Sequence, residues 1–165
     1  MNALKLLESQ HHEVDELFGE LEATGDDARK AQERLCGEIA DALAVHSEIE
    51  EKLFYPEAKD AAPDVEELLR EAVEEHLSVK RLVADILEKG VDDESFHARM
   101  KVLAQQVRHH VAEEEHELFP EVERALDEEA LDALGDRMQE MADDLEAEGE
   151  PSARLAGETD EPAPL

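Results

Sequence analysis

Two stretches of this 165-residue sequence repeat one another. His46-x-x-x-Glu50 is followed by Leu53-Phe54 and Pro56, and His110-x-x-x-Glu114 by Leu118-Phe119 and Pro120. In both stretches the proline stands ten residues after the histidine and six after the glutamate. The repetition reaches upstream. His11 is followed by apolar residues at +3, +6, +7 and +10 (Val14, Leu17, Phe18, Leu21), and His76 by Val79, Leu82, Val83 and Ile86 at the same offsets. Gly25 and Gly90 fall in the turn between the halves of each copy. A chain with this symmetry is two copies of one helical hairpin. Each hairpin offers one histidine from its first helix and a His-x-x-x-Glu from its second.

Apolar residues recur at helical spacing along most of the chain, and no segment alternates with the period of a strand. The spacing predicts helices over about 2–23, 28–55, 64–90 and 92–120, with Pro56 ending the second and Pro120 the fourth. A shorter fifth helix is expected over about 127–146, carrying Leu131, Leu134, Met138, Met141 and Leu145. From Gly149 onward Pro, Gly and Glu dominate, and that composition reads as disordered. The expected fold is therefore all-α: an antiparallel up-and-down four-helix bundle (1–124), a short additional helix (125–148) and a disordered acidic tail (149–165).

Charge narrows the function classes. With 16 Lys+Arg against 47 Asp+Glu the formal net charge is −31, which opposes binding to nucleic acid phosphates or anionic membranes. No run of apolar residues is long enough to span a bilayer. The opening Met1-Asn2-Ala3-Leu4-Lys5 runs into polar Glu8, Gln10 and two histidines, unlike a signal peptide. The single cysteine, Cys36, excludes an internal disulfide and fits a reducing, cytoplasmic setting, with Cys36 itself packed in the core. Most of the acidity is expected on solvated helix faces.

Residues four apart on a helix share a face, so His46 points with Glu50 and His110 with Glu114. That face is the apolar one. The inward seams run Cys36, Ile39, Leu43, His46, Glu50, Leu53 on the second helix, and Leu103, Val107, His110, Glu114, Leu118 on the fourth. The first helix brings Leu4, Leu7, His11, Val14 and Phe18. His11 and His12 are adjacent, as are His109 and His110; the apolar stripe selects His11, and alignment to Pro120 selects His110. His46 and His110 each lie ten residues before their proline, about 15 Å at 1.5 Å per residue, and His11 and His76 lie at similar heights on the antiparallel helices. Burying carboxylates and imidazoles together costs several kcal/mol per charge unless a cation compensates. His11, His46, Glu50, His76, His110 and Glu114 are the expected metal ligands, and mixed N/O donors suit iron, manganese or zinc. His12, His97, His109 and His116 are expected at the surface or behind the ligands, and Glu51 and Glu115 in solvent. Lys80 reads as a lysine with its head in water, Tyr55 as a packing residue. Gly19 and Gly37 are expected to let the first two helices approach closely.

These residues resemble the hemerythrin-like, or HHE cation-binding, family over about residues 3–122. The likeness rests on Gln10-His11-His12-Glu13-Val14 with Leu17-Phe18, on His46-x-x-x-Glu50 with Leu53-Phe54-Tyr55-Pro56, on Glu75-His76, and on His110-x-x-x-Glu114 with Leu118-Phe119-Pro120. The resemblance implies an up-and-down bundle around two iron ions in an oxo-bridged di-iron centre, with His11, His46, His76 and His110 as terminal ligands and Glu50 and Glu114 as bridges. Oxygen carriers of this family have a second histidine where this chain has Lys80, which argues against simple reversible oxygen carriage and leaves a more open site. The activities implied are handling of O2, H2O2 or NO, catalase-like peroxide breakdown foremost. Alternatives are a metal- or oxygen-responsive module with an unidentified protein partner, and iron storage or delivery. A monomer or weak oligomer is expected.

Overall fold

The computed structural model describes all of residues 1–165, and every regular element in it is helical. Helix α1 spans Ala3–Ala23, α2 Arg29–Ile49, α3 Tyr55–Ala61, α4 Glu66–Lys89, α5 Phe96–Glu113, α6 Phe119–Ala125 and α7 Glu128–Glu148. Asn2 starts α1 by accepting the Leu4 N–H through its side chain, and Asp127 caps α7 by accepting from Ala130. Gly90, at φ +77°, ends α4 in a conformation that side chains with a Cβ avoid.

Two apolar cores sit at opposite ends of the bundle. One joins Leu4 and Leu7 of α1, Val45 and Ile49 of α2, Leu69 and Val73 of α4, and Leu118 with Phe119. The other joins Phe18 and Leu21 of α1, Leu35 and Ile39 of α2, Val83 and Ile86 of α4, and Met100 and Leu103 of α5. Successive long helices thus traverse the bundle in opposite senses. The buried polar residues His11, His46, Glu50, His76, His110 and Glu114 fall between these cores.

Neither proline stops its helix. Between α2 and α3 the chain makes a π-turn, Glu50–Phe54, and between α5 and α6 another, Glu114–Leu118. In these turns the Tyr55 N–H reaches back to the Glu50 carbonyl and the Phe119 N–H to the Glu114 carbonyl. The widened turn removes the clash a proline ring makes with the carbonyl four residues earlier, so the helices continue to Ala61 and Ala125. The extra residue also shifts the inward seam. Phe54 and Tyr55 are buried and Leu53 is only partly so, against the expectation that Leu53 continues the seam. Leu118 and Phe119 correspond to Phe54 and Tyr55, counting back from each proline. The two look-alike Leu-Phe pairs are one residue out of register.

Helix α7 is not short: it has 21 residues, as many as α1. It buries Leu131, Leu134, Met138, Ala142 and Leu145 in the same core as Leu4 and Leu7. Gly135 is required here, because a Cβ would lie 1.8 Å from the Met1 carbonyl oxygen. Gly19 and Gly37, by contrast, have nothing within 4 Å of where a Cβ would stand, so they do not mediate close helix approach.

The expected disordered tail is also overturned. Pro151–Gly157 forms a 3-10 helix, and the strap from 151 to 160 is pinned to the bundle. The Ser152 N–H donates to Asp41 Oδ1 (3.0 Å), and the Arg81 guanidinium donates to the carbonyls of Thr159 (2.8 Å) and Asp160 (3.1 Å). Leu155 inserts into the core of Phe18 and Val107 with 2 % exposure. Composition predicts disorder because apolar residues are few here, but one buried leucine and several polar anchors are enough to dock a short segment.

Candidate metal centre

The six residues singled out by the sequence converge. His46 Nε2 lies 3.2 Å and His76 Nε2 3.1 Å from Glu50 Oε2, with His110 Nε2 at 4.0 Å. Glu114 Oε2 lies 3.3 Å from His11 Nε2 and 3.5 Å from His110 Nε2. Two overlapping sets result, His11–His46–Glu50–Glu114 and Glu50–His76–His110, each with ligand-type atoms within 4.8 Å of one another and all buried. Glu50 belongs to both sets, as a bridging carboxylate would.

Each imidazole is oriented from behind. The Nδ1–H of His46 donates to Gln10 Oε1 (2.8 Å), that of His110 to Glu75 Oε1 (3.1 Å), that of His76 to Glu51 Oε1 (2.8 Å) and that of His11 to Glu115 Oε1 (2.8 Å). The pattern follows the repeat. The residue before the first-helix histidine (Gln10, Glu75) holds the second-helix histidine of its own hairpin. The residue after the glutamate (Glu51, Glu115) holds the first-helix histidine of the other hairpin. Such outer partners fix the tautomer, leaving every Nε2 lone pair facing inward. Glu51 is therefore not solvated: it is buried, and Glu115 is engaged rather than free. The doubled glutamates, Glu50-Glu51 and Glu114-Glu115, present in both copies, were the available sequence signal.

Lys80 is buried as well, its ammonium 2.8 Å from Glu51 Oε2 and 3.2 Å from Glu158 of the strap, so it braces Glu51 rather than reaching for water. Tyr55 is more than a packing residue. Its hydroxyl lies 2.8 Å from Glu114 Oε1, 3.1 Å from Glu50 Oε2 and 3.1 Å from His76 Nε2. One hydroxyl hydrogen cannot serve both carboxylates at once, so the phenol oxygen stands as a further polar atom among the six residues. Phe119, the repeat partner of Tyr55, stacks on His11 at 5.9 Å, so the two halves of the centre differ here. His12, His97, His109 and His116 are exposed, and Cys36 is packed in the core, where burial pushes its thiol up to about 11.

The residues fit a cation on their own chemistry. His11 Nε2, His46 Nε2, Glu50 Oε1 and Glu114 Oε2 are buried with no hydrogen-bond partner, where an orphaned polar atom costs about 1–3 kcal/mol. His76 Nε2 and His110 Nε2 are 3.1 Å apart with both Nδ1 atoms donating elsewhere, so two lone pairs face each other unless a proton or a metal lies between. Electrostatics without a cation show the same tension. Burial opposes charging of His110, yet Glu114 and Glu50 hold its pKa well above the ordinary imidazole value; against the same opposition His11 is raised by Glu114 and Glu50, and His76 by Glu50 and Glu51. Burial wins at His46, which is lowered. Burial works against the Glu50 carboxylate, but His46, His110 and His76 pull its pKa well below the usual range. The carboxylates favour positive charge at three of the four imidazoles, as they would favour a cation between them.

A small cavity of about 30 Å3 opens against the histidine edges, walled by Val14, Leu43, Val79, Val107, Val111 and Leu155. It admits a diatomic gas or a molecule the size of water and little more.

A helical bundle that presents buried histidines and glutamates in two overlapping sets at its waist defines the chain as a helical protein of the cation-binding class. The profile of the hemerythrin HHE cation-binding domain matches residues 2–122, and the chain belongs to that family. It is similar in fold to the crystal structure of a hemerythrin HHE cation-binding domain-containing protein from Mycobacterium kansasii, with a TM-score of 0.79 at 19% identity over 96% of this chain and 94% of that one. It is also 33% identical over 131 residues to a protein described as a DNA nickase from a Nostoc species, covering 78% of this chain but only 36% of that protein's length. No helix is long and apolar enough to cross a membrane.

Proposed function

We propose that the chain binds two iron ions and acts on a small oxidant, O2, H2O2 or NO, with peroxide disproportionation as the leading reaction. The observation that supports this reading is the set of buried, inward-facing Nε2 and carboxylate atoms without protein partners, each histidine backed by its own acceptor. His11, His46, His76 and His110 would be terminal ligands, Glu50 and Glu114 would bridge, and Tyr55 is an additional oxygen donor beside Glu50, Glu114 and His76. When bound, the di-iron centre would supply Lewis acidity and exchangeable electrons. The chain's own residues do the rest. The apolar cavity walls exclude bulk water and charged solutes, and Gln10, Glu51, Glu75 and Glu115 keep the imidazoles aimed. The Tyr55 hydroxyl would hold a proton beside the two carboxylates, donating to Glu114 Oε1 at 2.8 Å or Glu50 Oε2 at 3.1 Å. Lys80, at the position of the oxygen carriers' additional histidine, is turned away toward Glu51, which leaves that side of the centre open to the cavity.

The test is metal content per chain with the visible spectrum, followed by O2 evolution from H2O2. Two irons per chain, lost in His46→Ala and Glu114→Ala but kept in His97→Ala, is the expected result. Retention of metal by His46→Ala with loss in His97→Ala would overturn the ligand assignment.

A metal-responsive module without turnover is the second reading. It is favoured by the Nostoc relative, in which the matched segment is about a third of a longer protein. Nicking of DNA is not proposed for this chain, whose net charge of −31 repels a phosphate backbone. Tight metal-dependent association with a protein partner, and no O2 evolution, would favour this second reading.

A further inference from the structure

We propose that Leu155, carried on the 151–160 strap, is the residue that sets the size and speed of access to the metal centre through the seam between α2 and α4. The inference rests on the functional reading above only in what passes the gate; the gate itself is read from the packing. Every other wall of the cavity comes from α1, α2, α4 or α5, and Leu155 is the one contribution from outside them. The strap lies along α2 and α4, anchored by Asp41 on the first and Arg81 on the second. At the rim of the same seam stand Ser47 and Lys80, both buried, and the Lys80 ammonium joins strap to centre by contacting Glu158 on one side and Glu51 on the other.

The physical logic is one of size and polarity. With Leu155 seated, what remains is about 30 Å3 with apolar walls, enough for O2, NO or H2O2 and too small for a chelator or an organic peroxide. Leu155 is the single buried residue of its segment, so its side chain anchors the strap and blocks the seam at once. The anchors to Arg81 are hydrogen bonds at an exposed surface, where water competes for both partners, so the strap can lift without the bundle unfolding.

The experiment uses the full chain as wild type, Leu155→Ala and Arg81→Gln. In metal-free protein, dissolved xenon is the probe, read by chemical-shift changes of the Val14, Val79 and Val107 methyl groups. Leu155→Ala opens an apolar space of the kind that takes up xenon, so its methyl shifts should exceed those of wild type at least threefold. In iron-loaded protein, azide is the probe, read by the rate at which its absorption band develops. That rate should rise at least tenfold in Leu155→Ala and by a smaller factor in Arg81→Gln, where the leucine remains but its strap is loosened. Wild-type xenon response and azide rate in both variants would overturn the gate and place access at another seam, such as the one between α1 and α5. The xenon arm needs no metal. Failure of the wild type to take up iron would therefore sink the di-iron reading while leaving the gate to be decided by xenon alone.

Discussion

Glu51 offers a sharp test of how the centre is held, because it contacts no candidate ligand atom directly yet supports two buried groups, the His76 imidazole and the Lys80 ammonium. Its Oε1 accepts from His76 Nδ1 and its Oε2 from Lys80 Nζ, both at 2.8 Å. Glu51→Ala removes two charge-assisted hydrogen bonds, nominally about 1.5–3 kcal/mol each. Lys80 retains Glu158 at 3.2 Å, which offsets part of its loss, so the net destabilisation of metal-free protein should be about 2–4 kcal/mol. Metal affinity should fall a further 10–100-fold, the usual consequence of removing a carboxylate that orients a ligating histidine. The assays are urea unfolding of the metal-free chain and metal titration against a competing chelator. The double variant Glu51→Ala/Lys80→Met separates the effects. Removing the ammonium should recover only the Lys80 share of the fold stability and none of the metal affinity, since His76 is still unsupported. Wild-type affinity in Glu51→Ala would refute the reasoning, as would recovery of affinity in the double variant.

Stability of the metal-free protein should peak at mildly acidic pH. His11, His76 and His110 are raised, so their contribution is complete below about 6.5 and is lost as pH rises through the folded values; Glu50 and Glu51 are lowered, so theirs is present above about 4.5 and lost on acidification; the lowered His46 opposes in part. Unfolding midpoints that stay flat or climb between pH 6 and 9 would contradict this, whereas the metal-loaded protein should gain affinity over the same range as protons cease to compete. Gly37→Ala and Gly19→Ala should each stabilise by about 0.5–1 kcal/mol in thermal melts, because both sit inside helices with free space where a Cβ would go. Gly135→Ala should instead destabilise and free the first residues, visible as faster amide exchange at 2–5, because the Met1 carbonyl occupies that space. Tyr55→Phe should keep the helical fold while altering the visible spectrum of iron-loaded protein; an unchanged spectrum would remove the phenol from the centre.

The helices, their order and the six inward histidines and glutamates could be read from the chain, because both signals are local. A period of 3.6 residues and a four-residue His–Glu spacing are properties of one helix, and the duplicated hairpin places the second set where it places the first. Surroundings of the centre could not be read that way. Glu51 and Glu115 count as part of the centre because each meets the first-helix histidine of the other hairpin, a pairing that exists only once the hairpins pack, and whether a proline ends a helix or sits in a widened turn depends on what packs around it. Lys80 is buried only because Glu51 and Glu158 meet it from two other segments, 29 and 78 residues away in sequence. Tyr55 looks like the Phe119 of its repeat until a hydroxyl among three acceptors sets it apart. The strap is the clearest case. Its composition argues for disorder, and its order comes from the apolar slot between α2 and α4 that receives Leu155, a slot that exists only once the bundle has assembled.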